Sequence, residues 1–265
     1  MRDLEFDLQK YEPAHCKMST APTSSIVPIV STKEGYVLTS VENVYIKPIV
    51  VHGSIGAGKT TILTKIERHG FKVLYEDLDS WRNVKGHNLL SEYYKDPSRL
   101  AYVFQSEIVR SRYMQFLNLI NDKEWLTTNG PDTMEFGKLR IKVVFTERDH
   151  MSSLKVFSKR LLDMKLMLPV EYAHMELWCE MLGMPVSRNI FYLQLTPEEC
   201  MDRIDKRDRP EEKKGGVDIS LLEGIDSYYL KWLKEDYHLQ VTYIPSFKLD
   251  DLTRQVQMIV QAVKR

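Results

Sequence analysis

Residues 50–61 read Val-Val-His-Gly-Ser-Ile-Gly-Ala-Gly-Lys-Thr-Thr, and they constrain the fold more than any other stretch. An apolar strand over residues 46–51 runs into a glycine-rich bend, and a helix-forming stretch follows over 59–69 until Gly70 can end it. Gly53, Gly58, Lys59 and Thr60 satisfy the phosphate-loop pattern G-x-x-x-x-G-K-[ST]. Glycines let the backbone bend tightly and turn several N–H groups onto one point, and the helix N-terminus adds partial positive charge there. The loop from Gly53 through Ser54, Ile55, Gly56, Ala57 and Gly58 to Lys59, Thr60 and Thr61 is thus the expected seat of a nucleoside triphosphate. Lys59 can reach the β- and γ-phosphates, and Thr60 can offer its hydroxyl to Mg²⁺.

A chain of 265 residues suits one α/β domain with extensions, or at most two small domains. Lys plus Arg and Asp plus Glu both number 37, so a general basic field for a nucleic acid polymer is excluded and any anion site must be local. The isolated Cys16, Cys179 and Cys200 suggest a reducing compartment and no metal knuckle. No apolar run is long enough for a membrane span. Asp3, Glu5, Asp7 and Glu12 are unlike a mitochondrial presequence, so a cytoplasmic location is expected, with nuclear entry left open.

Residues 1–25, with Pro13, Pro22 and a Ser/Thr cluster, read as a loose arm, and 25–45 as a short hairpin around Gly35. Residues 1–45 are thus expected to be an extension to a domain over 46–265. Apolar strands are expected at 46–51, 71–75, 141–145, 189–195 and 239–244. Helices are expected at 88–94, 97–121, 152–167, 170–182, from Pro197 to before Pro210, at 220–236 and from Leu252 onward. Asp96, with Pro97 behind it, is an N-cap, and Thr196–Glu199 and Ser220–Glu223 are capping boxes. Residues 122–140 show little periodicity and read as a surface insertion. Strands alternating with helices imply a five-stranded, mainly parallel sheet with helices on both faces, an α/β fold whose ligands bind beyond the carboxyl ends of the strands.

The phosphate loop, Glu76, Glu147 and Arg148 all sit at such ends. A carboxylate at Glu76 could accept the proton of an attacking hydroxyl, or be an N-cap or salt-bridge partner. Glu147 is the candidate for Mg²⁺ and Arg148 for a phosphate or the acceptor oxygen, a surface ion pair being the alternative. Phe104, Gln105, Ile108 and Arg112 share one helical face, and the Gln105 amide could match a nucleobase edge or satisfy nearby backbone. Arg203, Lys206, Arg207 and Arg209 crowd another helix. The mutual repulsion of Arg203 and Arg207 would be relieved by a polyphosphate, or the helix presents a solvated face with Glu199–Arg203 and Asp205–Arg209 pairs.

These pieces together resemble the deoxynucleoside kinase family, with its deoxycytidine, deoxyguanosine and mitochondrial thymidine kinases and the insect multisubstrate enzyme. The matching blocks, over about 49–244, are the phosphate loop; Glu76 with Trp81-Arg82-Asn83-Val84; Gly86-His87-Asn88-Leu89-Leu90; Tyr94-Lys95-Asp96-Pro97; Phe104-Gln105; Glu147-Arg148; and Tyr192-Leu193-Gln194 leading to Arg203, Arg207, Arg209, Glu211 and Glu212. The resemblance implies ATP- and Mg²⁺-dependent phosphorylation of a deoxynucleoside 5′-hydroxyl, with pyrimidine deoxynucleosides as the leading substrates. It implies that Glu76 is the base with Arg148 beside it, that Thr60 and Glu147 serve Mg²⁺, and that Tyr94 and Glu212 hold the sugar 3′-hydroxyl. Gln105 would bind the base edge, Phe157 stack on the base, and Trp81 and Phe104 wall the pocket. Arg203, Arg207 and Arg209 would form an arginine-rich lid, and residues near Phe247 and Lys248 would approach the adenine. Arg112 matches the arginine of the deoxycytidine and deoxyguanosine enzymes, while Ser153 stands where those enzymes carry its partner aspartate. Asp77 replaces a family proline and Asp149 a family serine. A homodimer is also implied. A nucleoside monophosphate kinase and a catalytically silent nucleotide-binding protein are the alternatives.

Overall fold

The structure, a computed structural model, describes residues 29, 35–207, 209, 212, 216–236, 238–245 and 254. The arm over 1–25, Cys16, the region of Phe247 and Lys248, and all but one residue of the last expected helix lie outside them. In chain order the elements are β1 (Val37–Leu38), β2 (Val44–Gly53), α1 (Lys59–Arg68), β3 (Lys72–Leu74), α2 (Leu78–Arg82), α3 (Leu89–Lys95), α4 (Pro97–Ile120), α5 (Lys123–Thr127), β4 (Thr133–Phe136) and β5 (Leu139–Glu147). There follow α6 (His150–Ser152), a π-helical stretch (Ser153–Ser158), α7 (Lys159–Asp163), α8 (Pro169–Met181), β6 (Asn189–Gln194), α9 (Pro197–Arg207), α10 (Ile219–Glu235) and β7 (Gln240–Pro245).

Five strands run parallel in the order β3-β5-β2-β6-β7. The sheet has seven strands rather than the expected five, because β1 and β4 add antiparallel to β2 and β5. The central parallel strands β2, β5 and β6 were readable because both of their faces are covered, which makes them near-continuous apolar runs. β4 is short and half exposed, so it carries no such run.

The expected featureless insertion over 122–140 therefore contains a helix and a hairpin strand. What orders it is polar: Lys142 Nζ donates to Asp132 Oδ1 at 2.7 Å, to Thr133 Oγ1 at 2.9 Å and to the Thr128 carbonyl at 3.0 Å. Trp125 Nε1 closes the set on Asp132 Oδ2 at 2.7 Å. Fully paired buried charges of this kind leave no trace in hydropathy.

Two further corrections concern helix ends. α10 is capped by Asp218, which accepts from the Leu221 N–H at 2.7 Å, so the expected Ser220 box lies inside the helix. The expected helix over 152–167 is broken into α6, a π-helical stretch and α7. Asp96 and the Thr196–Glu199 pair cap their helices as expected, while Asn88, expected as the first residue of its helix, caps α3 instead.

α1 buries Ile62, Leu63 and Ile66 against Ile49, Val51 and Phe145 of the sheet. On the other face α4 and α8 cover Ile46 and Val144. Helices on both faces leave the crevice beyond the carboxyl ends of β2, β3 and β5 as the open ground.

Candidate active site

The phosphate loop leaves β2 at Gly53 and enters α1 after Gly58, with positive φ at Gly53, Gly56 and Gly58. At Gly56 the constraint is double: φ is +82°, and a Cβ there would stand 2.4 Å from the Cys200 carbonyl oxygen of α9. The Lys59 ammonium folds back into the loop, donating to the carbonyls of Ser54 at 2.9 Å and Gly53 at 3.2 Å. Burial first, and then the charge of Arg148, bring its pKa down to about 8. Thr60 Oγ1 donates to Glu147 Oε1 at 2.9 Å, so the two residues picked out for Mg²⁺ are in direct contact.

Glu76 follows β3 and Arg148 follows β5, and their side chains pair at 3.0 Å. Burial by itself would raise the Glu76 carboxyl; the charges of Arg148, Lys59, Arg112 and Arg209 outweigh it and hold the group below the ordinary carboxylate value. Arg148 is a non-glycine residue at φ +60°, a strained conformation of the kind that gathers at functional sites. Its amide donates to the Val51 carbonyl at 3.1 Å, and its guanidinium lies 4.5 Å over the Phe157 ring. Phe157 sits in the π-helical stretch, as does the buried Ser153. Asp77, in place of the family proline, caps α2 through the Ser80 N–H at 3.2 Å. Asp149 caps α6, and burial pushes its carboxyl up to about 6. Behind it His52 is wholly buried, with Nε2 3.6 Å from Asp149 Oδ1.

Trp81, Phe104, Tyr93 and Tyr94 make an aromatic wall. Trp81 and Phe104 meet edge to face at 5.7 Å, Tyr93 stacks on Phe104 at 4.5 Å, and Trp81 Nε1 is held by Ser111 Oγ at 3.0 Å. Burial raises the Tyr94 hydroxyl pKa, so the phenol stays protonated and able to donate. Gln105 is 1% exposed, and its Oε1 has no hydrogen-bond partner. Arg112 is also buried, with its guanidinium on backbone carbonyls and Gln115.

Arg203 donates to the Ala57 carbonyl at 3.2 Å. Arg207 grips Glu212 through both Nε and Nη2, and Arg209 stands 3.6 Å from the same carboxylate. Glu212, expected at the sugar, lines the same cavity as Tyr94 and is also paired with the arginines beside the loop, and Arg209 faces it rather than the Asp205 expected from spacing.

One cavity of about 550 Å³ is lined by the phosphate loop, the aromatic wall, Gln105, Ser153 and Phe157, together with six basic residues (Lys59, Arg112, Arg148, Arg203, Arg207 and Arg209) and four acidic ones (Glu76, Glu147, Asp149 and Glu212), while His52 and Asp77 lie outside it. The chain as a whole is neutral, so this excess is local, as an anion site in such a chain must be. Tyr93, Tyr75, Leu221 and Ile225 also line it and were not singled out from the sequence. Their signal was faint: Tyr93 is merely the neighbour of Tyr94, and the others look like ordinary core positions.

The family model for deoxynucleoside kinase matches residues 49–265. A probable deoxycytidine kinase of Fowlpox virus is 30% identical over 194 residues, covering 72% of this chain and 73% of the viral protein. Deoxycytidine kinase 2 of Gallus gallus is 29% identical over 212 residues, covering 72% and 75%. The mitochondrial thymidine kinase 2 of Homo sapiens is 31% identical over 189 residues, covering 70% and 63%. Among solved structures, deoxyadenosine kinase from M. mycoides, with products dCMP and a flexible dCDP bound, superposes with a TM-score of 0.63. It is 19% identical and covers 82% of this chain and 98% of its own, a likeness that bears on the fold.

Proposed function

Starting from the fact that the chain belongs to the deoxynucleoside kinase family, and so is a phosphotransferase acting on deoxynucleosides, we propose that it moves the γ-phosphoryl group of ATP to the 5′-hydroxyl of a pyrimidine deoxynucleoside, thymidine or deoxycytidine. The observation that carries this reading is that Glu76 and the phosphate loop line the same cavity. The pyrimidine preference draws on the relatives, which include proteins named as deoxycytidine and thymidine kinases.

In this reading the 5′-oxygen forms its bond to the γ-phosphorus, the bond to the β-bridging oxygen breaks, and Glu76 takes the hydroxyl proton. A carboxyl held below its usual pKa is fully ionised at neutral pH, so it is ready to orient and accept that proton. Arg148 fixes the carboxylate and faces the charge that spreads over the transferring group. Lys59 and the arginines Arg203, Arg207 and Arg209 neutralise the phosphates, the last three acting as a lid. Tyr94 and Glu212 hold the sugar, Gln105 reads the base edge, and Phe157, Trp81 and Phe104 sandwich the ring.

The Thr60 hydroxyl and Glu147 carboxylate are hard oxygen donors already in contact, a set that fits Mg²⁺, which takes its remaining ligands from water and phosphate. Held by Thr60 and Glu147, Mg²⁺ would neutralise charge on the phosphates. The proposal includes a homodimer, supported by Val170, Leu177 and Met181, which share one face of α8 and are exposed. A panel of the four deoxynucleosides and their monophosphates, assayed with MgATP, tests the reading. Conversion of thymidine or deoxycytidine ahead of the purines is expected; phosphorylation of monophosphates alone would replace it with a monophosphate kinase.

A further inference from the structure

β3 and β5 pair in parallel register up to Leu74 and Thr146. The next pair in that register is Tyr75 with Glu147, and the one after it is Glu76 with Arg148. The β3–β5 ladder ends at Leu74 and Thr146, yet the two residues beyond on each strand must be held at a definite separation. Arg112 of α4 supplies the missing rung. Its Nη1 donates to the Tyr75 carbonyl at 3.3 Å and its Nη2 to the Glu147 carbonyl at 2.5 Å. Gln115, one helical turn on, accepts from Nη1 at 3.0 Å and donates Nε2 to the same Tyr75 carbonyl at 2.9 Å. Arg112 as a whole is 3% exposed, so the directions of its guanidinium are set by these partners rather than by water. A planar fork with fixed donor directions can span two strand ends, whereas an ammonium acts as a point charge.

We propose that Arg112 is a positioning residue that clamps the ends of β3 and β5 and thereby sets the Glu76–Arg148 pair, rather than a residue that reads the base. Resting on the functional reading above, the clamp gives Arg112 a task one residue removed from both groups assigned to the chemistry. Its charge also adds to the field on the Glu76 carboxylate. Gln115 shares the task without lining the cavity, so it has no route to the base.

The test uses Arg112→Lys, which keeps the charge and loses the fork, and Gln115→Met. Both should lower kcat, Arg112→Lys by about 10²-fold, the cost of a misplacement of roughly 1 Å. Gln115→Met, which removes two hydrogen bonds of the clamp, should lower it by about tenfold. Nucleoside KM and the ratio of kcat/KM among deoxynucleosides should stay as in the wild type. A changed base preference with kcat intact would overturn the clamp, as would unaltered kcat in both variants of an active enzyme. A crystal structure of Arg112→Lys decides the matter without any activity. Separation of Glu76 and Arg148 beyond about 4 Å is expected, and retention of the 3.0 Å pair would overturn the proposal.

Discussion

The Gln105 amide oxygen is buried against the aromatic wall of the cavity with no partner, and a buried polar atom left so is costly until a ligand completes it. Gln105→Ala should therefore weaken deoxynucleoside binding by about 1–3 kcal/mol and leave ATP affinity unmoved. Calorimetric titration with each ligand reads this directly, and a loss confined to ATP would contradict the assignment. At this scale the sequence was legible where chemistry sits at a strand end. Glu76 and Arg148 follow apolar runs, and the structure pairs them at 3.0 Å. It was not legible where partners come from the backbone. The carbonyls of Tyr75 and Glu147 that occupy Arg112 have no side-chain signature, so Arg112 looked like one more group facing the base.

Among the elements, the phosphate loop is the most tightly constrained. Gly56 adopts a conformation that L side chains avoid and presses on the backbone of α9. Gly56→Ala should push α9 away and carry Arg203 off the Ala57 carbonyl, so ATP binding should be lost well before the fold is. Nucleotide titration alongside a thermal melt separates the two, and undiminished ATP affinity would show that the contact with α9 can relax. The loop was readable because its glycine spacing is dictated by backbone geometry. The π-helical stretch carrying Ser153 and Phe157 was not, because an extra residue in a helical turn alters hydrogen bonding without altering composition. Asp218 took the cap from Ser220 for a similar reason: both residues favour the position, and tertiary contacts decide where the helix starts.

For the whole molecule, the order β3-β5-β2-β6-β7 places the ends of β2, β3 and β5 side by side, so that three separated stretches of sequence converge on one crevice. Alternation of strands and helices was enough to expect that convergence; the antiparallel additions β1 and β4 pair with the amino-terminal parts of β2 and β5, at the end away from the crevice, and do not alter it. The exposed apolar face of α8 belongs to this scale as well. Sedimentation should give twice the 31.1 kDa of one chain, and Leu177→Glu should return it to a single chain. A wild-type mass of one chain would remove the dimer from the account.

The central claim is that Glu76 and a triphosphate seated on the phosphate loop meet at one sugar oxygen. Single-turnover transfer from γ-labelled ATP to thymidine and deoxycytidine, measured for the wild type and Glu76→Gln together with nucleoside Kd, tests it most directly. The account predicts label on the 5′-oxygen in the wild type and a rate lower by about 10²–10⁴-fold in the variant at unchanged nucleoside Kd. Equal rates in the two proteins would contradict it.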